Sequence, residues 1–68
     1  MEIKFIPVES SNIKEIGYEN NDLYVKYQTG TYVYEGVDRT LYEGLMSSES
    51  KGRYMSDHIK GNFNYRKI

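Results

Sequence analysis

Two turn signals nine positions apart constrain this chain more than any other feature. Asn20-Asn21 and Thr29-Gly30 each sit between short runs of alternating apolar and polar residues: Ile13–Tyr18, Leu23–Gln28 and Thr31–Glu35. Both dipeptides can supply the positive φ values of a two-residue hairpin turn. An Asn20-Asn21 loop pairs Tyr18 with Leu23, Ile16 with Val25 and Glu15 with Lys26. A Thr29-Gly30 loop pairs Tyr27 with Tyr32, Val25 with Tyr34 and Lys26 with Val33. Opposed residues share a face of a sheet. One face therefore collects Ile16, Tyr18, Leu23, Val25, Tyr27, Tyr32 and Tyr34, and the other Glu15, Gly17, Tyr24, Lys26, Val33 and Glu35. A slip of one residue would destroy that sorting, so a three-stranded antiparallel meander is the expectation.

Around it the pattern is simpler. Pro7 keeps residues 1–8 out of a central strand, leaving an N-terminal edge strand as an open alternative, and Glu9-Ser10-Ser11-Asn12 reads as a turn. From Val37 the period changes: Val37, Leu41 and Leu45 recur every four residues behind Asp38, a good N-cap. Ser47-Ser48 ends this helix. A second begins at Ser48 or Ser50, carries Met55 and Ile59 inward, and stops at Gly61. The tail, Asn62–Ile68, reads as extended or irregular. The fold class is α+β: the meander, its apolar face covered by one or two C-terminal helices, in a single domain spanning residues 1–68.

A 68-residue chain with no cysteine has no disulfide framework, thiolate nucleophile or cysteine zinc site. Its core must come from Ile, Leu, Val and an unusual share of its eight tyrosines. No apolar run approaches the length of a membrane span and no signal-like segment opens the chain; a cytoplasmic location is the expectation. A single histidine, His58, lacks the partners of a metal site. Nothing calls for a cofactor, and neither a Ser-His-Asp spacing nor a dense carboxylate cluster is present; a ribonuclease with His58 as general acid beside Lys51, Arg53 or Tyr54 stays as a third alternative to the non-catalytic expectation.

Charge is distributed unevenly. Residues 1–50 hold four cations against nine acids, a net −5, whereas residues 51–68 hold five cations against Asp57 alone, a net +4. Tyr54, His58, Phe63 and Tyr65 are interleaved with those cations. Positive charge among flat rings suits a nucleic acid, charge for phosphates and π-faces for bases. Lys51-Gly52-Arg53-Tyr54 falls at the start of the second helix, where free N–H groups favour an anion, with Lys60, Tyr65, Arg66 and Lys67 extending the patch. The alternative is ordinary surface cations, Lys51 and Arg53 pairing with Glu43 or Glu49. Tyr32 and Tyr34 lie on the face the helices should cover, so packing with their hydroxyls at the rim is expected of them, and Phe63 reads as a plug on the core. The opposite sheet face carries Tyr24 and Lys26 beside Glu15 and Glu35, which repel phosphate, and reads as a solvated surface.

The chain resembles the KTSC domain family along nearly its whole length. The resemblance is carried by the Val8–Asn12 segment, Ile16-Gly17-Tyr18, Tyr32-Val33-Tyr34, Tyr42, Leu45-Met46, Ser50-Lys51-Gly52-Arg53-Tyr54, Ile59-Lys60-Gly61 and Tyr65-Arg66. The departure is Phe63-Asn64-Tyr65-Arg66, where the family pattern has aromatic-Pro-Tyr-Arg. Such domains occur at the C-terminus of some bacterial lysyl-tRNA synthetases and as free-standing small proteins of bacteria and phages. The resemblance therefore implies an RNA context, by association.

Composition and resemblance together lead to a non-catalytic nucleic-acid-binding module, RNA ahead of DNA, using Lys51, Gly52, Arg53, Tyr54, Lys60, Tyr65, Arg66 and Lys67. The competing expectation is a protein-interaction or phage accessory module whose basic end docks on an acidic protein surface.

Overall fold

A computed structural model describes residues 3–10 and 12–68. Met1, Glu2 and Ser11 lie outside the described residues, and with them part of the first-strand and turn expectations. Five antiparallel strands form one sheet in sequence order: β1 (Phe5–Pro7), β2 (Ile13–Glu19), β3 (Asp22–Tyr27), β4 (Gly30–Glu35) and β5 (Tyr65–Lys67). Between β4 and β5 come α1 (Arg39–Ser47) and α2 (Lys51–Tyr54), the latter running directly into a π-helical segment, Met55–Ile59. The α+β class and the meander are as expected. β1 forms the edge strand that the sequence left open, and the tail, expected to be extended or irregular, is extended and adds a fifth strand to the sheet.

The β2–β3 register matches the expected pairs, with Tyr18 opposite Leu23, Ile16 opposite Val25 and Glu15 opposite Lys26. Asn20 and Asn21 take φ values of 52° and 64°, as a tight hairpin turn requires. The β3–β4 register differs. Tyr27 pairs with Gly30, Val25 with Tyr32 and Leu23 with Tyr34, so the loop is Gln28-Thr29 rather than Thr29-Gly30. Positive φ is confined to Gly30, at +146°, as the first residue of β4. The loop shift moves each cross-strand partner by two, an even number, so every side chain stays on its expected face.

Ile13 would lie on the polar face by strict alternation. A bulge between Ile13 and Glu15 inserts one residue and turns Ile13 inward, opposite Tyr27. It then joins the core of Ile16, Leu23, Val25, Tyr34, Val37, Leu45, Met55 and Ile59. Val8, Leu41, Tyr42, Tyr54 and Phe63 pack around this cluster, so Phe63 plugs the core as its apolar ring suggested.

Asp38 occupies the N-cap position of α1, but its side chain makes no cap hydrogen bond. Ser48 closes the helix, its N–H and its hydroxyl both donating to the Leu45 carbonyl, the hydroxyl at 2.8 Å. Gly44, in mid-helix, is explained by close approach. A methyl group there would stand 3.0 Å from Tyr54 Cζ, so the helix carries a poor helix former to admit the Tyr54 ring.

The opposite sheet face is less solvated than the sequence implied. Val33 is fully buried there, flanked across the sheet by Tyr24 and Arg66. Phe5 makes an edge contact with Tyr24, and Lys26 Nζ lies 4.7 Å from the Phe5 ring centre while pairing with Glu15 at 3.3 Å. Ile3 covers Gly17, where a methyl group would come within 2.8 Å of it. The two added edge strands supply this cover.

Candidate nucleic-acid interface

Burial falls along the inner rows of the sheet. In the row Tyr18–Leu23–Tyr34–Tyr65, Leu23 and Tyr34 are buried, whereas Tyr65 is 60% exposed. In the row Ile16–Val25–Tyr32–Lys67, the first two are buried, Tyr32 is half-buried and Lys67 is exposed. The helical layer therefore covers the β2–β3 side and leaves the β4–β5 side open. The opening is a cleft of about 500 Å³ lined by Tyr27, Thr29, Tyr32, Tyr34, Lys60, Gly61 and Tyr65. A smaller depression of about 350 Å³, lined by Asn12, Gln28 and the same Tyr27, Thr29 and Lys60, adjoins it.

The rings of the cleft brace one another. Tyr27 meets Tyr32 edge-on at 5.5 Å between ring centres, and Tyr65 lies 5.5 Å from Tyr34 and 6.0 Å from Tyr32. The Tyr27 and Tyr34 hydroxyls share a hydrogen bond of 3.1 Å. Burial, reinforced by that bond, pushes the Tyr27 hydroxyl far above the ordinary tyrosine range, and burial raises Tyr34 as well. Both stay neutral near physiological pH, where one hydroxyl of the pair keeps a proton to donate to a ligand.

The π-helical turn brings Lys60 to this cleft. The Lys60 N–H donates to the Met55 carbonyl at 2.7 Å, five residues back. Met55 and Ile59, four residues apart, both lie in the core. Lys60 then leaves the helix, and its ammonium sits 5.4 Å from the centre of the Tyr27 ring. Gly61, at φ +84°, turns the chain toward β5. Lys67 lies along the inner face over Gly30, where a methyl group would come within 2.7 Å of its Cε.

The eight expected site residues do not form one patch. Lys51 donates to the Ser48 carbonyl at 3.1 Å, and Gly52 lies beside the Ser10 and Asn12 side chains. Arg53 is paired with Asp57 at 3.6 Å, a partner other than the expected Glu43 or Glu49. Tyr54 packs on the His58 ring at 4.5 Å, and its hydroxyl reaches Gly44. Arg66 points to the opposite sheet face and pairs with Glu35, because neighbouring residues of a strand alternate sides. Lys60 and Tyr65 do come together, lining the tyrosine cleft, and Lys67 lies near by, opposite Tyr32 and over Gly30. Among the described residues, neither Lys60 nor Lys67 is paired with a carboxylate.

Tyr27, Thr29, Tyr32 and Tyr34 were not among the expected site residues. Part of the signal was present: Tyr27, Tyr32 and Tyr34 were expected on the inner face, with the Tyr32 and Tyr34 hydroxyls at its rim, whereas Thr29 was read only as part of the turn. Tyr34 does pack in the core, and Tyr32 packs against it. What the pattern lacked was where the helical cover stops.

Among the described residues, no group of three or more His, Cys, Asp or Glu side chains is placed to hold a metal, and no helix is long and apolar enough to cross a membrane.

Comparison with known proteins agrees with this architecture. The model of the KTSC domain family matches residues 9–63, a span that includes Tyr27, Tyr32, Tyr34 and Lys60 but ends before Tyr65 and Lys67. A protein of Tsukamurella paurometabola is 35% identical over 60 residues, 84% of this chain and 90% of that protein. The crystal structure of a KTSC domain protein from Yersinia pestis is 41% identical and aligns with a TM-score of 0.95 over 98% of this chain and 99% of its own. By sequence and by superposition along almost its full length, the chain belongs to the KTSC domain family.

Proposed function

We propose that this domain is a non-catalytic nucleic-acid-binding module, acting on RNA ahead of DNA and working in the cytoplasm. The observation that carries the reading is the tyrosine cleft with two unpaired lysines beside it. Rings offer stacking surfaces for bases, and Lys60 and Lys67 offer charge for phosphates. Arg53 and Arg66 contribute less, since Asp57 and Glu35 already neutralise them. The working surface is thus narrower than the whole +4 segment and centres on the junction of π-turn, β4 and β5.

The test is an amide NMR titration of labelled protein with tRNA, a single-stranded oligonucleotide and duplex DNA, at about 50 and 200 mM salt. Shifts that cluster at 27–34 and 60–67 and fade with salt support the reading. A spectrum unmoved by all three at low salt removes it.

A protein partner is the second reading. It is favoured by β5, an edge strand on which Tyr65, with Ile68 just after it, is exposed, a ready template for another strand. A pull-down that recovers one protein, insensitive to nuclease, would select this reading.

A further inference from the structure

We infer that the tyrosine cleft is a slot for a single unpaired base, and that this makes the domain a reader of single strands that rejects duplexes. The inference rests on the nucleic-acid reading above and specifies its ligand.

Three observations carry it. The aromatic surface is recessed: of the rings and groups that line the cleft, Tyr34 is buried and Tyr27 and Tyr32 are half-buried, whereas Tyr65 on β5, Lys60 and Gly61 are exposed. A stacked base pair presents only its edge to a protein, and a duplex cannot lower a ring face into such a recess. An unpaired base can turn out of its strand and lie against a tyrosine. Secondly, among the described residues the cleft lining contains no carboxylate, and its side-chain polar groups are the tyrosine hydroxyls, Thr29 and the Lys60 ammonium. These donate readily to the ring carbonyls and nitrogens of a base. Thirdly, two lysines without a carboxylate partner among the described residues flank the tyrosines: Lys60 lines the cleft over Tyr27, and Lys67 lies over Gly30, opposite Tyr32 on the next strand. A base seated between them would have flanking phosphates within the field of both. The adjoining depression shares Tyr27, Thr29 and Lys60 with the cleft, which gives the neighbouring nucleotide a place to continue.

On the outer face of α1, Arg39 is already paired with Glu43, and α2 is a single turn. Tyr65 is the ring with most of its surface free, and it is assigned the principal stacking role.

The experiment compares a short single-stranded RNA with a duplex of the same sequence at equal salt, using the native chain, Tyr65→Phe, Tyr65→Leu and Lys60→Ala. Thermal melts confirm that each variant is folded; Tyr65→Leu retains an apolar side chain against Tyr34. The expected result is single-strand binding at least about ten-fold tighter than duplex binding, kept in Tyr65→Phe and weakened about ten-fold in Tyr65→Leu. Lys60→Ala is expected to lower the slope of log affinity against log salt by about 0.7. Equal binding of both forms, indifferent to Tyr65→Leu, overturns the slot and leaves a general polyanion surface. Absence of binding to either form at about 50 mM salt removes the nucleic-acid reading itself, and the slot with it.

Discussion

Tyr27 and Tyr34, on neighbouring strands, join their hydroxyls 3.1 Å apart at the floor of the cleft. Both phenols resist ionisation chiefly because they are buried; the shared bond adds to the effect at Tyr27, which is raised furthest, and opposes it at Tyr34. A tyrosine whose pKa is higher folded than unfolded contributes stability that is complete below about pH 10, the unfolded value. That stability is lost as pH climbs beyond it, because only the unfolded chain ionises readily. Stability is therefore expected to fall above pH 10 while tyrosinate absorbance shows some tyrosines still protonated. Tyr27→Phe should cost about 1 kcal/mol at neutral pH and make the alkaline loss shallower. Denaturant midpoints measured across that range check both effects.

Charge pairing predicts which cations govern binding. Lys60→Ala and Lys67→Ala should each flatten the salt dependence of single-strand RNA affinity by about 0.7 in slope. Removing Arg66 together with Glu35, or Arg53 together with Asp57, deletes a neutral pair and should leave the slope unchanged. Affinity measured across a salt series for the four variants decides whether the unpaired lysines are the phosphate contacts.

Gly44→Ala would ordinarily strengthen a helix by about 1 kcal/mol. Here the added methyl meets the Tyr54 ring, and overpacking of this kind costs about 1–3 kcal/mol. The expected outcome is a lower Tm. In a Tyr54→Ala background the same change should become neutral or stabilising, and a double-mutant cycle of the two would report their coupling.

Tyr18 ties the β2–β3 hairpin to the entry of α1. Its hydroxyl donates to the Val37 carbonyl at 2.6 Å, and its ring stacks on Tyr42 at 4.7 Å. Tyr18→Phe keeps the stack and should cost about 1 kcal/mol. Tyr18→Leu loses the stack too, a further 0.5–1.5 kcal/mol or about that. Faster amide exchange near Val37 in Tyr18→Phe would locate the loss.

The sequence made the sheet's sidedness legible because alternation and turn chemistry agreed. Asn20-Asn21 fixed one hairpin to the residue. At the second hairpin Thr29-Gly30 drew attention to the dipeptide, whereas the glycine was needed one position later, at the head of β4. The two-residue shift had no consequence for burial, so periodicity could not detect it. The bulge that turns Ile13 inward was equally invisible, since one extra residue leaves no mark on composition. β5 was missed because Tyr65, Arg66 and Lys67 are all exposed: an edge strand held by backbone bonds shows little apolar pattern. For the same reason the cations of the tail read as one patch, when strand alternation sends Arg66 and Lys67 to opposite faces.

The way β5 joins the sheet also orders events in time. Each of the first four strands meets a neighbour only a hairpin or short loop away, a topology that forms quickly. β5 must wait for both helices, about thirty residues after β4, and it brings Tyr65 and Lys67 with it. A chain clipped there by a protease would hold nearly all of the hydrophobic core while lacking Tyr65 and Lys67. Competence to bind would then be acquired last and be the first thing removed, independently of whether the rest of the domain is folded.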